Sequence, residues 1–210
     1  MRKMSDNTFQ LGVFASNVWG GLTKTTAAQR WNASWDNNVA LATMADQAGL
    51  EFMLPLAQWS QLKGAAETDG HTFEALTWAA GLLGRTERIT IFATVHAPFV
   101  SPIFAAKQAV TCDHIGHGRF GLNIVSGSAE PDFLMFGVEM MEHGQRYAYT
   151  EEWTTLVKRL WEEAEPFDFD GEYFRLKGAF TRPAPYGGDR PMPRLERLGL
   201  RRPHQAEEAQ

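Results

Sequence analysis

The feature that most constrains the fold is a repeated alternation of strand-like apolar runs with helix-like segments. The runs are FQLGVFA, LEFMLPL, ITIFATV and RFGLNIV, beginning at residues 9, 50, 89 and 119. Their spacing of roughly 30–40 residues is typical of βαβ units, in which a helix connects two parallel strands. The last two runs are apolar at nearly every position, which indicates strands covered on both faces. The pattern therefore predicts a parallel sheet with strands at 10–16, 50–57, 89–95 and 119–125.

The intervening segments carry helix signals. Ser34 suits an N-cap and Gly49 a stop for one helix, and Pro102 stands where proline is favoured in the first turn of another. A later segment repeats apolar residues at helical spacing, and the alternation around Asp170–Gly171 is typical of a hairpin. We predict helices at 35–48, 72–83, 102–115 and 147–164, and a hairpin within 166–180.

The 210-residue length bounds the architecture. A closed (β/α)8 barrel usually needs about 250 residues, and the four predicted units amount to roughly half of one. The end of the chain is rich in Arg, Leu, Pro, Glu and Ala and has no strand signal. We therefore expect residues 1–192 to form the N-terminal part of an α/β barrel and residues 193–210 to form an irregular tail.

Composition excludes several classes of partner. The net charge is −5 and no run of Lys or Arg forms a basic patch, so nucleic acid and anionic membranes are poor partners. The single cysteine excludes a disulfide framework and a multi-thiolate metal site. The polar N-terminus lacks the apolar segment of a signal peptide, and no run is as long as a membrane span, so we expect a cytoplasmic protein.

Glycines 116, 118 and 121 match the spacing G-x-G-x-x-G. In a dinucleotide-binding fingerprint these glycines follow a strand and open a helix, whereas here they precede a strand. The favoured interpretation is a tight turn from helix to strand.

Four side chains that could bind a metal or react stand close together at that turn. His114 and His117, with the nearby Asp113, have the composition of a metal site, but no third strong ligand is evident and histidines near a helix end often interact with its carbonyl groups. Cys112 lies within a mostly apolar helix and is interpreted as a buried structural thiol. We predict no metal site.

Polar and small residues gather where the predicted strands end. Ligands of parallel α/β folds bind at those carboxyl ends. Asn123 is an amide inside an apolar strand and must find hydrogen-bond partners, either within the barrel interior or on a planar polar ligand. Arg146 and Tyr147 stand at the entry to the last helix, where an arginine suits a phosphate group. The other candidates at strand ends are Ala57, Gln58, Trp59, Thr94, His96, Ser126, Gly127 and Ser128.

Several longer motifs carry a family resemblance. They are GRFGLNIVSG at 118–127 and, further along, SAEPDFLMFGVE, HGQRYAYTEEW and DFDGEYFRLKGAF. Supporting segments are LGVFAS, ATVHAPFVSPIFAAKQAVTCDHIGHGRF and PAPYGGDRP. Together they cover about residues 9–192. The sequence resembles the flavin-dependent luciferase-like monooxygenases, especially the subgroup that contains alkanesulfonate and pyrimidine monooxygenases.

The resemblance implies a (β/α)8 barrel that uses reduced FMN, supplied by a separate NAD(P)H:flavin reductase. With O2, such an enzyme oxygenates a small organic substrate, while the protein binds and orients the cofactor and excludes water. The resemblance leaves the catalytic residues unassigned. The flavin-binding positions it implies are Ala57, Gln58, Thr94, Asn123, Asp132, Arg146 and Tyr147.

Departures from the family pattern leave the substrate and the activity open. Gln58 replaces a lysine of the pyrimidine enzyme, and SGSAEPD differs from its loop, so an organosulfur compound and a nitrogen heterocycle both stay open. Because the similarity to the family ends near Met192, we expect exposed sheet edges, with self-association into a homo-oligomer as one outcome. We also expect weak FMN binding and little oxygenation coupled to flavin oxidation. The alternative is a non-catalytic flavin-binding protein.

Overall fold

A computed structural model describes residues 9–23, 25–60 and 71–187 of the chain. One parallel sheet lies at the centre of this part of the molecule, and its strands follow one another in chain order. This confirms the predicted parallel α/β sheet. The strands are β1 (Gly12–Phe14), β2 (Phe52–Leu54), β3 (Thr90–His96) and β4 (Phe120–Val125).

Five α-helices and one antiparallel hairpin complete the described residues. The helices are α1 (Trp35–Ala48), α2 (Ala75–Leu83), α3 (Pro102–Ile115), α4 (Glu130–Phe136) and α5 (His143–Glu162). The hairpin pairs β5 (Phe167–Asp170) with β6 (Arg175–Ala179). The predictions for α1 and α3 are confirmed at both ends, and Ser34 and Gly49 act as the N-cap and the left-handed C-cap of α1.

Several predicted boundaries were wrong for local reasons. The first two strands were predicted as 10–16 and 50–57, but ladder pairing covers only three residues of each. Helix α2 begins at Ala75, not at Thr72, because the Glu74 carboxylate accepts the first free N–H groups and Thr72 bridges to Val18. The predicted tail at 193–210 lies outside the described residues.

The last helix begins four residues before the predicted start at 147. Its first turn is polar and mostly exposed, so the apolar periodicity of α5 begins only later in the helix. Helix α4 lies outside the predicted helices. Its apolar side chains Leu134 and Met135 are exposed, so the segment lacks the buried periodic stripe that predicts a helix.

The glycine turn between α3 and β4 has the predicted form. Gly116 caps α3, Gly118 has a φ of +83°, and β4 begins two residues later. The favoured interpretation of the G-x-G-x-x-G spacing as a helix-to-strand turn is confirmed.

The two faces of the sheet have different roles. Ile91, Ala93 and Val95 of β3 belong to the hydrophobic core that includes residues of α2, α3 and α5. Since side chains alternate along a strand, Thr94 of β3 and Asn123 of β4 lie on the other face, which corresponds to the interior of a barrel. The sheet thus places Thr94 and Asn123, which are 8% and 6% exposed, on the face opposite the helix-packed core.

The opposite end of the sheet is held by a buried carboxylate. Asp46 near the end of α1 accepts the backbone N–H groups of Glu87, Arg88 and Ile89 at 3.0, 2.8 and 2.6 Å. It ties α1 to the segment that enters β3 and is 6% exposed. Burial alone would raise the pKa of Asp46, but these three hydrogen bonds lower it below its ordinary value of 3.8.

We expect this carboxylate to give the chain an acid-sensitive component of stability. Asp46→Asn should lower the free energy of unfolding by about 2 kcal/mol at neutral pH. The amide replaces one acceptor oxygen with an NH2 donor, which cannot accept from the three backbone N–H groups. A carboxylate whose pKa is lower in the folded than in the unfolded state stabilises the fold at pH values above the unfolded pKa. This stabilisation is lost as the pH falls through the folded-state pKa, so the difference in unfolding free energy between the two proteins should shrink between about pH 5 and pH 2. Urea unfolding of both proteins across that range measures it, and a constant difference would contradict the assignment.

No helix within residues 9–23, 25–60 and 71–187 is both long and apolar enough to cross a membrane.

Candidate functional site

A hydrogen-bonded pair of polar side chains lies on the face of the sheet opposite the hydrophobic core. Thr94 and Asn123 are partners in the β3–β4 register, and the Asn123 amide donates to the Thr94 hydroxyl at 3.1 Å. The Thr94 hydroxyl in turn donates to the Pro55 carbonyl at 2.6 Å. The Asn123 Oδ1 atom is buried and accepts no hydrogen bond from the residues that the structure describes. The amide therefore presents an unused acceptor on this face.

The loop after β2 is held against α4. Asp132 accepts the backbone N–H of Ser60 at 2.7 Å, and the Gln58 amide donates to the Ser60 carbonyl at 3.0 Å. The Trp59 ring packs edge-on against Phe136 with a centroid distance of 5.0 Å. Asp132 therefore positions the loop that carries Ala57 and Gln58.

His96 at the carboxyl end of β3 joins the same region. Its ring lies 5.2 Å from that of Phe99, which stacks on Phe136 at 4.4 Å with an interplanar angle of 3°. Gly127 has a φ of +76°, and a Cβ there would come within 2.9 Å of Phe133 and 3.5 Å of His96. The missing side chain lets the chain after β4 pass close to both rings.

Burial shapes the ionisation of this histidine. It lowers the pKa of His96, and the nearby Asp132 carboxylate raises it by less, so the pKa stays below its ordinary value. The imidazole is therefore mostly neutral at neutral pH. Its Nδ1 atom is buried and has no hydrogen-bond partner among the described residues.

The first turns of α5 complete the candidate site. The Thr150 hydroxyl donates to the Arg146 carbonyl at 2.7 Å and lies 2.9 Å from the Ser126 hydroxyl after β4. Arg146 donates from Nη1 to the Met141 carbonyl at 3.3 Å, while its Nε is buried without a partner in the described part of the chain. The Tyr147 ring packs on His143 at 4.7 Å. A cationic side chain thus stands in the first turns of a 20-residue helix.

The structure brings the sequence-predicted residues to one end of the sheet. Thr94 and Asn123 touch directly, Asp132 contacts the loop that holds Ala57 and Gln58, and Arg146 is linked to β4 through Thr150 and Ser126. Their assignment to flavin binding stays a prediction. Sequence reasoning missed α4 and the ring contacts of Phe99, Phe133 and Phe136, for which the only signal was the apolar run FLMF.

Cys112 and His114 of α3, and His117 just after it, lie outside this group. The His114 and His117 rings pack on Tyr186, and His114 Nε2 lies 2.8 Å from the Ala184 carbonyl. Burial raises the pKa of Cys112 to about 12, so it is an inert thiol as predicted. In the part of the chain that is described, no three His, Cys, Asp or Glu side chains are arranged to hold a metal ion.

Parallel βα units with polar groups at the carboxyl ends of their strands define a class: the α/β-barrel proteins that bind ligands at that end. The luciferase-like monooxygenase family matches residues 9–194. The chain belongs to that family.

Two curated relatives illustrate the match. The pyrimidine monooxygenase RutA of Methylorubrum extorquens strain PA1 is 32% identical over 187 residues, covering 88% of this chain and 50% of that protein. An FMNH2-dependent dimethylsulfone monooxygenase of Pseudomonas putida is 32% identical over 186 residues, covering 89% and 49%. The chain therefore spans about half the length of the curated relatives it matches.

Solved structures agree with the fold. A riboflavin lyase, RcaE, crystallised with modified FMN and riboflavin, superposes with a TM-score of 0.74 at 23% identity, over 90% of this chain and 49% of that one. The long-chain alkane monooxygenase LadA superposes with a TM-score of 0.72 at 17% identity, over 86% and 50%. The barrel-type fold, with four βα units present, is confirmed.

Proposed function

We propose that this chain forms the flavin-binding part of an FMN-dependent monooxygenase that oxygenates a small organic substrate with O2. The observation that carries the proposal is a pair of buried polar atoms at the carboxyl end of the sheet, Asn123 Oδ1 and Arg146 Nε, that the described residues leave without partners. A buried polar atom without a partner costs about 1–3 kcal/mol, so a ligand that supplies the missing groups is favoured.

The strand end of the site fits the flavin ring system. Asn123 is 6% exposed, its amide hydrogen is engaged by Thr94, and its oxygen faces a ligand as an acceptor only. The isoalloxazine ring carries an N–H group between two carbonyl groups, and such a donor suits this oxygen. Thr94, fixed by its bond to Pro55, holds the amide in that orientation.

The helix end of the site fits a phosphate. Glu142 caps α5 without a side-chain hydrogen bond, so the first backbone N–H groups of the helix have no cap from that residue. These groups, the positive end of the helix dipole and the Arg146 guanidinium all favour an anion. Ring and phosphate sites on one sheet end match the two parts of FMN.

When bound, reduced FMN supplies the reaction with O2 that delivers an oxygen atom to the substrate. The residues of this chain bind and orient: Asn123 fixes the ring edge and Arg146 the phosphate. Asp132 holds the loop after β2 over the site through Ser60. The aromatic side chains of α4 and the segment after β3 exclude water from one side.

The partners follow from that chemistry. The RutA and dimethylsulfone monooxygenase relatives support a pyrimidine-like or organosulfur substrate, and the use of reduced FMN supports a separate NAD(P)H:flavin reductase and a cytoplasmic location. We also propose self-association of this chain: Phe9, Leu11 and Phe14 beside or within the edge strand β1 are 74%, 52% and 51% exposed.

Removing the guanidinium is expected to weaken FMN binding selectively. Arg146→Gln should reduce FMN affinity about ten- to hundredfold, the loss expected for one charge-assisted hydrogen bond. Riboflavin lacks the phosphate, so its affinity should stay nearly unchanged. Quenching of flavin fluorescence measures both.

Arg175→Gln is the matched control, because that arginine is 81% exposed on the hairpin and its loss removes the same charge. Equal losses for FMN and riboflavin in Arg146→Gln, or an equal FMN loss in the control, would overturn the phosphate assignment.

The same preparation separates the enzyme from a non-catalytic flavin binder. With FMN, a flavin reductase, NADH, O2 and a candidate pyrimidine or organosulfur substrate, an oxygenase transfers one oxygen atom of O2 to the substrate and the other to water, whereas a binder leads to hydrogen peroxide alone. For this chain by itself we expect mostly peroxide with a small amount of oxygenated product, because the four sheet strands among the described residues enclose only one side of the site. Product that forms only when the chain is present supports the enzyme, and peroxide without product supports the binder.

A further inference from the structure

Asn17 is a fully buried amide in the segment that follows β1. The residue is 0% exposed, and its side chain makes three hydrogen bonds to backbone groups of other segments. The Nδ2 atom donates to the Leu56 carbonyl at 2.7 Å and to the Phe73 carbonyl at 3.2 Å, and Oδ1 accepts the Leu56 N–H at 2.9 Å. One side chain therefore joins the ends of β1 and β2 to the segment before α2.

The Asn17 side chain takes the place of backbone pairing where β1 ends. The β1–β2 ladder runs to the pair Phe14 and Leu54, and the Ala15 N–H still donates to the Leu54 carbonyl. In a regular parallel ladder the Ala15 carbonyl would next accept the Leu56 N–H, but Ala15 has a φ of +59°, outside the extended region. Asn17 Oδ1 accepts that N–H instead, and Asn17 Nδ2 binds the Leu56 carbonyl.

One peptide group carries hydrogen bonds to both Asn17 and Thr94. The Leu56 N–H donates to Asn17 Oδ1 at 2.9 Å on one side, and the Pro55 carbonyl accepts the Thr94 hydroxyl at 2.6 Å on the other. Because a peptide group is planar and stiff, the hydrogen bond on one side fixes the direction of the carbonyl on the other. Hydrogen bonds in such a series also polarise and strengthen one another.

The constraint reaches the proposed flavin acceptor through Thr94. The β2–β3 register covers Phe52 and Met53, and Pro55 has no N–H with which to extend it. The Thr94 hydroxyl donates to the Pro55 carbonyl and accepts the Asn123 amide at 3.1 Å. Because that bond engages Asn123 Nδ2, it sets where Oδ1 lies, the atom proposed above to accept the flavin ring N–H.

We propose that Asn17 is a positioning residue of the flavin site: through the Pro55–Leu56 peptide group and Thr94, it sets the orientation of the Asn123 amide. This inference rests on the proposed function, because the ring acceptor belongs to that site. Since Asn17 acts on the ring contact and not on the phosphate contact, its loss should change the affinity for FMN and for riboflavin alike.

Asn17→Leu removes the three hydrogen bonds and keeps the number and branching of side-chain heavy atoms. We expect the affinity for FMN and for riboflavin to fall about three- to tenfold, the loss expected when one neutral hydrogen bond is weakened. Quenching of flavin fluorescence measures both. Asn38→Leu is the matched control, because Asn38 is also 0% exposed and makes three side-chain hydrogen bonds, to Ala33, Ser34 and Trp78. Its flavin affinity should be unchanged, and equal losses in the two variants would overturn the proposal.

The orientation of the amide is measured in the ligand-free chain by 1H–15N NMR. Asn123→Leu assigns the side-chain amide resonances of Asn123. Asn17→Leu should shift these resonances and Asn38→Leu should leave them in place, whereas a general loss of stability would act alike in both variants. Unshifted Asn123 resonances in Asn17→Leu would overturn the proposal.

Thr94→Val tests the same series of hydrogen bonds from its other end and keeps the shape of a side chain in a residue that is 8% exposed. It should shift the resonances of the Leu56 backbone N–H and of the Asn17 side-chain amide, which lie across the shared peptide group. Thr154→Val is its control, because Thr154 is 7% exposed and its hydroxyl also donates at 2.6 Å, within α5. This comparison holds even if Asn17→Leu does not fold, and equal shifts in the two threonine variants would contradict the proposal.

The double variant separates positioning from an independent structural effect. If Asn17 acts through Thr94, adding Asn17→Leu to Thr94→Val should cost no further flavin affinity, whereas independent losses would multiply to about ten- to hundredfold. If the wild-type chain binds no FMN, the proposed function fails, and the ligand-free spectra still decide whether Asn17 orients Asn123. If FMN binds and Asn17→Leu changes neither the affinity nor the spectra, the flavin site stands and the positioning role is wrong.

Discussion

Replacing Arg119 by methionine is expected to lower the free energy of unfolding by about 1.5–3 kcal/mol, the cost of losing the hydrogen bonds of a half-buried charged donor. Arg119 directly precedes β4 at the end of the sheet away from the proposed flavin site. Its guanidinium donates four hydrogen bonds at 2.9–3.1 Å, to the carbonyls of Leu83, Thr86 and Ile89 and to the Thr86 hydroxyl. Methionine keeps the aliphatic stem but leaves three carbonyl acceptors without this donor.

The control is Arg119→Lys, which keeps the charge but cannot reach four acceptors from one nitrogen, so its loss should be intermediate. Burial lowers the pKa of Arg119, with Asp46 and Glu87 opposing that effect, and the guanidinium stays charged at neutral pH. Urea unfolding at pH 7 measures all three proteins. A loss below about 1 kcal/mol for methionine, or full recovery by lysine, would contradict the assigned network.

The parallel sheet could be predicted because period and spacing are local properties of the sequence. The strand-like runs at 89–95 and 119–125 became β3 and β4 almost unchanged, since side chains on both faces of these strands are largely buried and most of them are apolar. The length of β1 was overestimated because the apolar run extends beyond the residues that pair in the sheet, and some of these residues, such as Leu11, are exposed. Apolar character alone does not show where backbone pairing ends.

Only the part of the candidate site that strand topology places could be predicted from the sequence. The carboxyl ends of parallel strands lie at one edge of the sheet, so the sequence alone could place Thr94 and Asn123 close together. The bracing by Asp46 and Arg119 could not be predicted, because their partners are backbone groups of distant segments, which carry no sequence signal. The contact of Asp132 with the backbone N–H of Ser60, 72 residues away, could not be predicted for the same reason.

Asn123→Leu is expected to have opposite effects on flavin binding and on stability. Leucine has the same number and branching of side-chain heavy atoms but no acceptor, so a ring N–H placed there would lose its partner. Affinity for FMN and for riboflavin should fall together, about five- to hundredfold, because the lost contact is to the ring that both ligands share. This pattern differs from Arg146→Gln, where only FMN should respond.

The same substitution should make the ligand-free chain more stable by about 1 kcal/mol, because relief of the buried, unpartnered Oδ1 outweighs the loss of the hydrogen bond from Asn123 to Thr94, and the Thr94–Pro55 bond stays in place. Flavin fluorescence and urea unfolding of one preparation measure both effects. A polar group that is kept for ligand binding lowers the stability of the ligand-free chain, and its removal raises that stability. A variant that loses stability and keeps flavin affinity would show instead that Asn123 is a structural amide of the barrel interior.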